Sequence, residues 1–232
     1  VQKGEVHALV GENGAGKSTF LKIIGGIHLP TEGKVYYNNE ERIFNTPLEA
    51  INNGISIVHQ ELSLFPKLTV AQNIFSHREP VNKIGVIKWD KLNKKAGKIL
   101  ERIGINIDAT TKVEDLSVGM QQVVEIAKAL SHNANIIIFD EPTSALSEKE
   151  ILMLYKVIGD LKERGVTILF VSHKLPEVFK ISDKISVLRD GNLVGTLATK
   201  KTNENEIIKM MVGRELGSLY PDKSEFDGDI IF

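Results

Sequence analysis

The sequence predicts an α/β fold built on a mainly parallel β-sheet. Three apolar segments rich in β-branched residues each end in a polar cluster, and an amphipathic stretch with helical periodicity follows each of them. Strands of a parallel sheet have this composition because helices cover both faces of the sheet. The alternation of strand and helix therefore indicates a doubly wound sheet. The strands are predicted at residues 5–10, 135–139 and 166–171, and the helices after them at 17–25, 149–164 and 176–181.

Two regions between the first and second of these strands have sequence patterns that differ from the alternation of strand and helix. Residues 34–37 and 54–58 have strand-like sequences, and Asn38-Asn39 suits a turn between strands, so a small antiparallel β subdomain is predicted beside the main sheet. Residues 61–130 are mostly helical in pattern, with the clearest helices at 92–103 and 121–130. They predict a helical subdomain inserted into the α/β core.

The last part of the chain carries turn and capping signals. Asp190-Gly191 is a turn dipeptide between two short strand-like segments, which predicts a β-hairpin. Asn203, with Glu206 three residues later, predicts the start of a short helix that Gly213 would end. We expect one domain over residues 1–214, followed by a C-terminal linker or tail at 215–232, where periodicity is lost.

Composition restricts what this chain of 232 residues can be. Its 42% of hydrophobic residues suffice for one sizeable core, and its formal net charge of -1 gives no basic field to attract nucleic acid. The absence of cysteine excludes disulfides and thiolate metal sites and fits a reducing compartment. The longest apolar runs are far below the roughly 20 residues of a membrane span, so a membrane role would pass through a partner. No signal peptide is visible, and because Val1 is not methionine we expect a longer native chain.

A phosphate-binding loop is predicted directly after the first strand. Residues 11–19, GENGAGKST, fit the pattern G-x-x-x-x-G-K-[ST] between a strand and a helix. Glycines allow backbone N–H groups to converge on phosphates, and the helix N-terminus favours negative charge. Lys17 would neutralise the β- and γ-phosphates, and Ser18 would bind Mg²⁺. The alternative is a glycine-rich turn without a ligand. The predicted nucleotide ligands are Asn13, Gly14, Ala15, Gly16, Lys17, Ser18 and Thr19.

A pair of carboxylates follows the second strand, whose sequence is too apolar to face water. In a P-loop fold this strand end lies beside the nucleotide, so Asp140 would hold Mg²⁺ and Glu141 would polarise the attacking water. Such a pair is often only the N-terminal cap of the next helix. Its combination with Lys17 favours catalysis. The fold class is thus a P-loop NTPase core, with ATP and Mg²⁺ as its expected cofactors.

A segment between these two motifs points to one family. Residues 116–122 read LSVGMQQ, and through them the sequence resembles the ATP-binding cassette, or ABC, family. Ser117 and Gly119 stand at the start of a predicted helix, so a hydroxyl, a backbone N–H and the helix dipole suit an anion. An ordinary N-capped helix is the alternative. The resemblance implies that the anion is the γ-phosphate bound to a second cassette.

Three further positions match motifs of the same family. Gln60 follows the segment at 55–58 and matches the Q-loop residue that reaches Mg²⁺. His173 ends the third strand and matches the switch histidine, which contacts the γ-phosphate and helps position water. Residues 144–147 lie where the family's D-loop crosses to the partner site. The resemblance thus implies catalytic roles for Lys17, Gln60, Glu141 and His173.

The subtype resembles the first cassette of bacterial monosaccharide importers of the ribose and galactose type. This resemblance rests on residues 59–62, on Val118 in the family's signature segment at 116–122 (the signature), and on Met211 to Glu215 before Tyr220-Pro221. It implies an ATPase that energises sugar import from the cytoplasmic side of the membrane. Its partners would be a second cassette, fused in tandem or paired as a dimer and bound in an ATP-dependent way, permease subunits and, indirectly, a sugar-binding protein outside the cell. In a tandem protein this chain would be the N-terminal half. The residue that stacks on adenine would precede Val1. The alternatives are a non-transport ABC ATPase and an ATP-dependent assembly module with little hydrolysis.

Overall fold

Eight strands, eight α-helices and two short 3-10 helices lie within residues 1–213, the part of the chain that the computed structural model describes. The strands are β1 (Val6–Val10), β2 (Tyr36–Tyr37), β3 (Glu40–Glu41), β4 (Ile55–Val58), β5 (Ile136–Asp140), β6 (Thr167–Val171), β7 (Lys184–Arg189) and β8 (Asn192–Ala198). The helices are α1 (Lys17–Ile24), α2 (Pro47–Asn52), α3 (Val70–Ile74), α4 (Trp89–Arg102), α5 (Val118–Ser131), α6 (Glu148–Glu163), α7 (Leu175–Ile181) and α8 (Glu204–Val212). The predicted tail at 215–232 and the motif residues from Arg214 onward lie outside the described residues.

A six-stranded sheet forms the centre of the structure, in the order β4-β5-β6-β1-β7-β8. The strands β4 to β7 and β1 are parallel, and β8 pairs antiparallel with β7 at one edge. The mainly parallel sheet of the prediction is confirmed. The core lies on both faces because successive side chains of a strand alternate: Val6, Ala8 and Val10 face the larger cluster, and Leu9 faces the smaller one with Leu21.

The position of β4 corrects one prediction. The segment at 54–58 was expected in the small antiparallel sheet, but β4 pairs in parallel with β5, with Ile55 opposite Ile136 and Val58 opposite Phe139. Within residues 1–213 the small sheet consists of β2 and β3 alone. The helix α2, which the sequence analysis missed, carries the chain from β3 into the main sheet. The crossover that the parallel neighbours β4 and β5 require is made by residues 59–135, which contain α3, α4 and α5.

Local capping explains where several elements begin. The Thr46 side chain accepts a hydrogen bond from the Glu49 N–H at the start of α2, and Pro47 occupies its first turn. Thr69 and Gln72 form a reciprocal capping box at α3. The turn at Asn38-Asn39 connects β2 and β3 as predicted, and both residues have left-handed φ values, of 53° and 66°.

Three helices, α3, α4 and α5, pack against one another, and they cover most of the predicted helical region at 61–130, with α5 ending one residue beyond it. Leu92, Ala96 and Leu100 lie four residues apart on α4 and are fully buried, which is the pattern of an amphipathic helix. The helical character of this region therefore agrees with the sequence. Its limits as a subdomain, like the limit of the domain at residue 214, stay a prediction.

The C-terminal elements form as the turn and cap signals predict. Asp190 and Gly191 adopt φ values of 51° and 76° between β7 and β8. Asn203 accepts a hydrogen bond from the Glu206 N–H at 3.0 Å, and Gly213 ends α8 in the left-handed conformation. Within residues 1–213, no helix combines the length and the apolar character that crossing a membrane requires.

Candidate active site

The loop between β1 and α1 is held against the β7–β8 hairpin. The Gly191 N–H donates to the Ala15 carbonyl at 3.2 Å. A Cβ atom on Gly11 would lie 2.5 Å from the Leu188 carbonyl oxygen and 2.9 Å from the Ala15 Cβ, so only glycine fits there. Gly16 precedes α1 with a φ of 98°, which also favours glycine. The β7–β8 hairpin thus supports the loop through Leu188 and Gly191, a contact that was not predicted from the sequence.

Lys17 points into this loop. Its ammonium group donates to the carbonyl oxygens of Gly11 at 2.7 Å and Glu12 at 3.0 Å, and the residue is only 7% exposed. Burial lowers the pKa of Lys17, while the nearby carboxylates of Glu141 and Asp140 act in the opposite direction. The structure therefore places a cation, the loop and two carboxylates in one region.

The remaining predicted ligands of the loop are accessible. Asn13, Gly14, Ser18 and Thr19 are exposed, whereas Ala15 is buried and Gly16 is half-buried. The N–H groups in the first turn of a helix have no partner within the helix, and Gly16 brings no side chain that could cap α1. This arrangement suits a phosphate, which accepts hydrogen bonds and carries the charge that a helix N-terminus favours.

Asp140 ends β5 at the sheet edge where the loop lies. Burial raises the pKa of its carboxyl group; His59 and Lys17 oppose this effect and Glu141 adds to it. The neighbouring positive charges therefore do not fully offset the cost of burying the ionised Asp140 carboxylate. Mg²⁺ prefers oxygen ligands and is usually held by one or two protein groups together with phosphates. The Asp140 carboxylate and the Ser18 hydroxyl are ligands of that kind and fit the ion.

Glu141 and His173 contact each other directly. The His173 Nδ1 lies 3.0 Å from the Glu141 Oε1, and their side chains are 49% and 21% exposed. Glu141 has a φ of 48°, a left-handed conformation that is unfavourable for a residue with a side chain. Its N–H donates to the Val171 carbonyl at the end of β6. The two parallel strands β5 and β6 therefore bring together residues 32 positions apart.

Gln60 lies beyond the end of β4, which is paired with β5. Because Val58 stands opposite Phe139, Gln60 follows at the sheet edge that carries Asp140 and Glu141. It is exposed. The structure thus gathers Lys17, Asp140, Glu141 and His173 and places Gln60 at the same edge.

Ser117 and Gly119 lie elsewhere, at the start of α5. The Ser117 hydroxyl accepts a long hydrogen bond from the Met120 N–H at 3.4 Å, so this residue caps the helix. The Ser117 hydroxyl and the Gly119 N–H both donate to the carboxylate of Glu150, at 2.7 and 2.8 Å. Their hydrogen bonds go to α6 and not to the residues around Lys17.

Two carboxylates were missed by the sequence analysis. Glu150 binds the start of α5, and Glu177 accepts a hydrogen bond from the buried Thr143 hydroxyl at 2.6 Å. A sequence signal existed for Glu150, since Ser147 and Glu150 have the spacing of a capping box, which the structure contains. For Glu177 no local signal existed, because Thr143 is 34 residues away.

Fold and site together define a P-loop nucleoside triphosphatase: a mainly parallel sheet, a glycine-rich loop with a buried lysine, and carboxylates at the neighbouring strand end. The sequence profile of the ABC transporter family matches residues 1–144, more than half of the chain. The chain belongs to the ABC transporter family and is an ATP-binding cassette of that family.

Individual relatives agree with this assignment. The ribose import ATP-binding protein RbsA of Geobacillus kaustophilus is 48% identical over 224 residues, which is 96% of this chain and 45% of the relative. The chain spans less than half the length of the curated relatives it matches. Among solved structures, the ADP conformation of MJ1267, an ATP-binding cassette of an ABC transporter, superposes with a TM-score of 0.78 at 27% identity, covering 92% of this chain and 90% of that one. The dimeric post-hydrolysis state of the cassette MJ0796, bound to ADP and phosphate, has a TM-score of 0.69 at 31% identity, covering 86% and 87%.

Proposed function

We propose that this chain binds and hydrolyses ATP to energise the import of a monosaccharide by an ABC transporter. The observation that carries the proposal is the Glu141–His173 pair at the end of β5 and β6, in the region where Lys17 and Asp140 also lie. A carboxylate oriented by a histidine and placed beside a phosphate-binding loop suits the activation of water.

Binding of ATP would rearrange Lys17. Its ammonium group now donates to Gly11 and Glu12, and these two carbonyls hold it inside the loop until phosphate oxygens replace them. The N–H groups of the loop and of the first turn of α1 would bind the same phosphates. Ser18 and Asp140 would hold Mg²⁺, with Gln60 reaching it from β4. When bound, Mg²⁺ neutralises charge on the phosphate oxygens.

The attack itself would be arranged by Glu141. Its carboxylate would accept a hydrogen bond from the water that attacks the γ-phosphorus, while the bond to the β-phosphate oxygen breaks and ADP leaves. An ionised carboxylate only accepts hydrogen bonds, so the His173 Nδ1 carries a hydrogen in this contact. In the neutral ring Nε2 is then an acceptor for a hydrogen of water, whereas in the imidazolium the Nε2–H would donate to the γ-phosphate. His173 thus orients Glu141 and stabilises charge on the transferred group.

A second cassette would complete the site. Ser117 and Gly119 would bind the γ-phosphate held by that partner, and residues 144–147 would cross to it. Support comes from the similar cassette MJ0796, which was solved as a dimer. Closure of the pair would drive permease subunits at the cytoplasmic face of the membrane, where the chain would bind peripherally. The choice of a monosaccharide rests on the similarity to a ribose import protein.

A test of hydrolysis compares Glu141→Gln with Glu101→Gln, which removes an exposed carboxylate of α4. We expect Glu141→Gln to bind MgATP within about twofold of the parent chain while phosphate release falls about 100-fold or more, because the amide cannot accept a proton. Glu101→Gln should match the parent in both measurements. Undiminished phosphate release by Glu141→Gln would overturn the proposed role.

The transport assignment needs its own experiment. The chain would be reconstituted in vesicles with its permease and binding protein, and phosphate release would be measured with ribose, galactose, an amino acid or no solute outside. We expect stimulation by a monosaccharide only. Stimulation by the amino acid alone would replace the sugar assignment, and a complex that never forms would favour a role outside transport.

A further inference from the structure

The carboxylate of Glu150 bridges the starts of two helices. Its Oε1 accepts from the Ser117 hydroxyl at 2.7 Å and from the Gly119 N–H at 2.8 Å. Its Oε2 accepts from the Ser147 N–H at 3.0 Å and from the Ser147 hydroxyl at 2.7 Å. These four hydrogen bonds, led by that of the Ser147 hydroxyl, lower the pKa of Glu150 to about 2, so it is an anion at neutral pH.

The contact at α5 is close as well as polar. A Cβ atom built on Gly119 would lie 2.5 Å from the Glu150 Cγ and 2.7 Å from its Cβ. Glycine at position 119 therefore lets the Glu150 side chain lie across the first turn of α5. The signature segment and the start of α6 are thus in contact through one side chain.

The groups that bind Glu150 are the groups that would bind a phosphate. The Ser117 hydroxyl has one hydrogen and so does the Gly119 N–H, and both point at one oxygen of Glu150. Neither hydrogen can be given to a phosphate oxygen while the contact exists. The positive end of α5 is likewise satisfied by the carboxylate.

We infer that the Glu150 carboxylate occupies the anion-binding groups of the signature and must withdraw from them before the partner's phosphate can bind there. This inference rests on the proposed pairing with a second cassette. Its Oε2 can remain on Ser147 while Oε1 withdraws, so the cap of α6 need not be lost. The contact then sets a threshold for pairing: cassettes close only when ATP supplies an anion that binds Ser117 and Gly119 better than Glu150 does. Glu150 would be a regulatory residue and not a catalytic one.

The first measurement tests whether Glu150 slows hydrogen exchange of the Gly119 amide in the unpaired chain. Glu150→Gln keeps the shape of the side chain and removes its charge, and Glu148→Gln removes the charge of an exposed carboxylate from the same turn of α6. We expect amide exchange at Gly119 to quicken about tenfold in Glu150→Gln and to stay within about twofold in Glu148→Gln. Equal exchange in the parent and in Glu150→Gln would overturn the inference without touching the proposed function.

The second measurement follows pairing in a Glu141→Gln background, where bound ATP persists. Self-association of the chain is recorded by sedimentation as MgATP is added. We expect Glu150→Gln to lower the MgATP concentration at half-association by at least about fivefold, the lower end of usual couplings between sites. Glu148→Gln should stay near the parent. Binding of MgATP to the unpaired chain, measured at low protein concentration, should be equal in all three.

The outcomes distinguish the inference about Glu150 from the proposed function. An equal shift in both variants would show general charge repulsion. A higher midpoint in Glu150→Gln would show that Glu150 supports pairing, and an unchanged midpoint would show that it has no influence on pairing. Each of these results overturns the inference alone. If every variant binds MgATP and none associates, pairing between two copies of this chain is wrong and the inference falls with it, whereas ATP hydrolysis and transport are decided by their own experiments.

Discussion

The His173 imidazole lies 3.0 Å from the Glu141 carboxylate, and this contact exists only because β5 and β6 run in parallel and end at the same edge. Glu141 adopts a left-handed φ of 48° at that point. The unfavourable backbone conformation costs about 1–3 kcal/mol and turns the chain sharply after Asp140. A strained residue in contact with a histidine beside a phosphate-binding loop is where catalysis is expected.

Replacing His173 by alanine should slow ATP hydrolysis while leaving binding intact. Without the imidazole, Glu141 loses the group that orients it, and we expect turnover to fall about 100-fold or more, as for loss of a positioned acid or base. Phosphate release and fluorescent ATP binding measure the two effects. His28→Ala, at an exposed histidine, serves as the control. An equal loss of binding and turnover would indicate a structural role for His173 instead.

Replacing Lys17 by alanine should weaken the binding of MgATP. The buried ammonium group lies inside the predicted phosphate-binding loop, and we expect the dissociation constant to rise about tenfold or more, since hydrogen bonds to charged groups contribute about 1.5–3 kcal/mol. Titration calorimetry measures the constant. Lys22→Ala removes an exposed lysine from the same helix and should leave it unchanged. Parent-like affinity of the Lys17 variant would refute its role at the phosphates.

Alanine at two glycines should have opposite effects on stability. In Gly11→Ala the new Cβ would lie 2.5 Å from a backbone oxygen of Leu188, which cannot move alone, so we expect a loss of about 1–3 kcal/mol. In Gly97→Ala, inside α4, the Cβ would meet no atom of the described residues within 4 Å, and we expect a gain of about 0.5–1 kcal/mol. Urea unfolding measures both. A neutral Gly11→Ala would mean that the hairpin does not hold the loop tightly.

Removing the Thr143 hydroxyl should destabilise the chain. Thr143 is 2% exposed and donates to Glu177, whose other oxygen pairs with Lys174 at 3.4 Å. In Thr143→Val the carboxylate loses a buried donor, at a cost of about 1–3 kcal/mol. Thermal unfolding compares this variant with Thr31→Val, an exposed site where little change is expected. Equal stability of the two variants would contradict the importance of the Thr143–Glu177 hydrogen bond.

His132 should make stability fall in mild acid. Burial, with the charges of Arg78 and Lys128, lowers the pKa of His132 to about 4 from 6.5. Between these values the unfolded chain binds the proton and the folded chain does not, so stability decreases as pH falls from about 6.5 and levels off below about 4. His132→Gln should lose this part of the pH dependence in urea unfolding, whereas His28→Gln should keep it. Parallel pH profiles for His132→Gln and the parent would disprove the shift.

The pairing of β4 shows the limit of reading strands from a pattern. Residues 55–58 were recognised as a strand, but their partner was not, because the pattern of a strand shows which side chains are buried and not which strand lies beside it. The segment reaches the main sheet through α2, a helix of six residues whose start is marked by Thr46 and Pro47. The contact between Glu150 and Gly119 was not predicted for the same reason. The two residues are 31 positions apart, and a local pattern does not show which distant segments meet.

By itself the sequence determined the features that lie within a few neighbouring residues: the loop that ends in Lys17, the apolar strands, the caps at Ser117 and Asn203, and the turn at Asp190-Gly191. Their geometry follows from local backbone preferences and from periodicity, which do not depend on distant residues. Only the tertiary structure decided which groups meet, namely His173 with Glu141, Leu188 with Gly11, Glu177 with Thr143 and Glu150 with the signature. These contacts depend on how the strands are ordered and how the helices pack, and no local pattern contains that information.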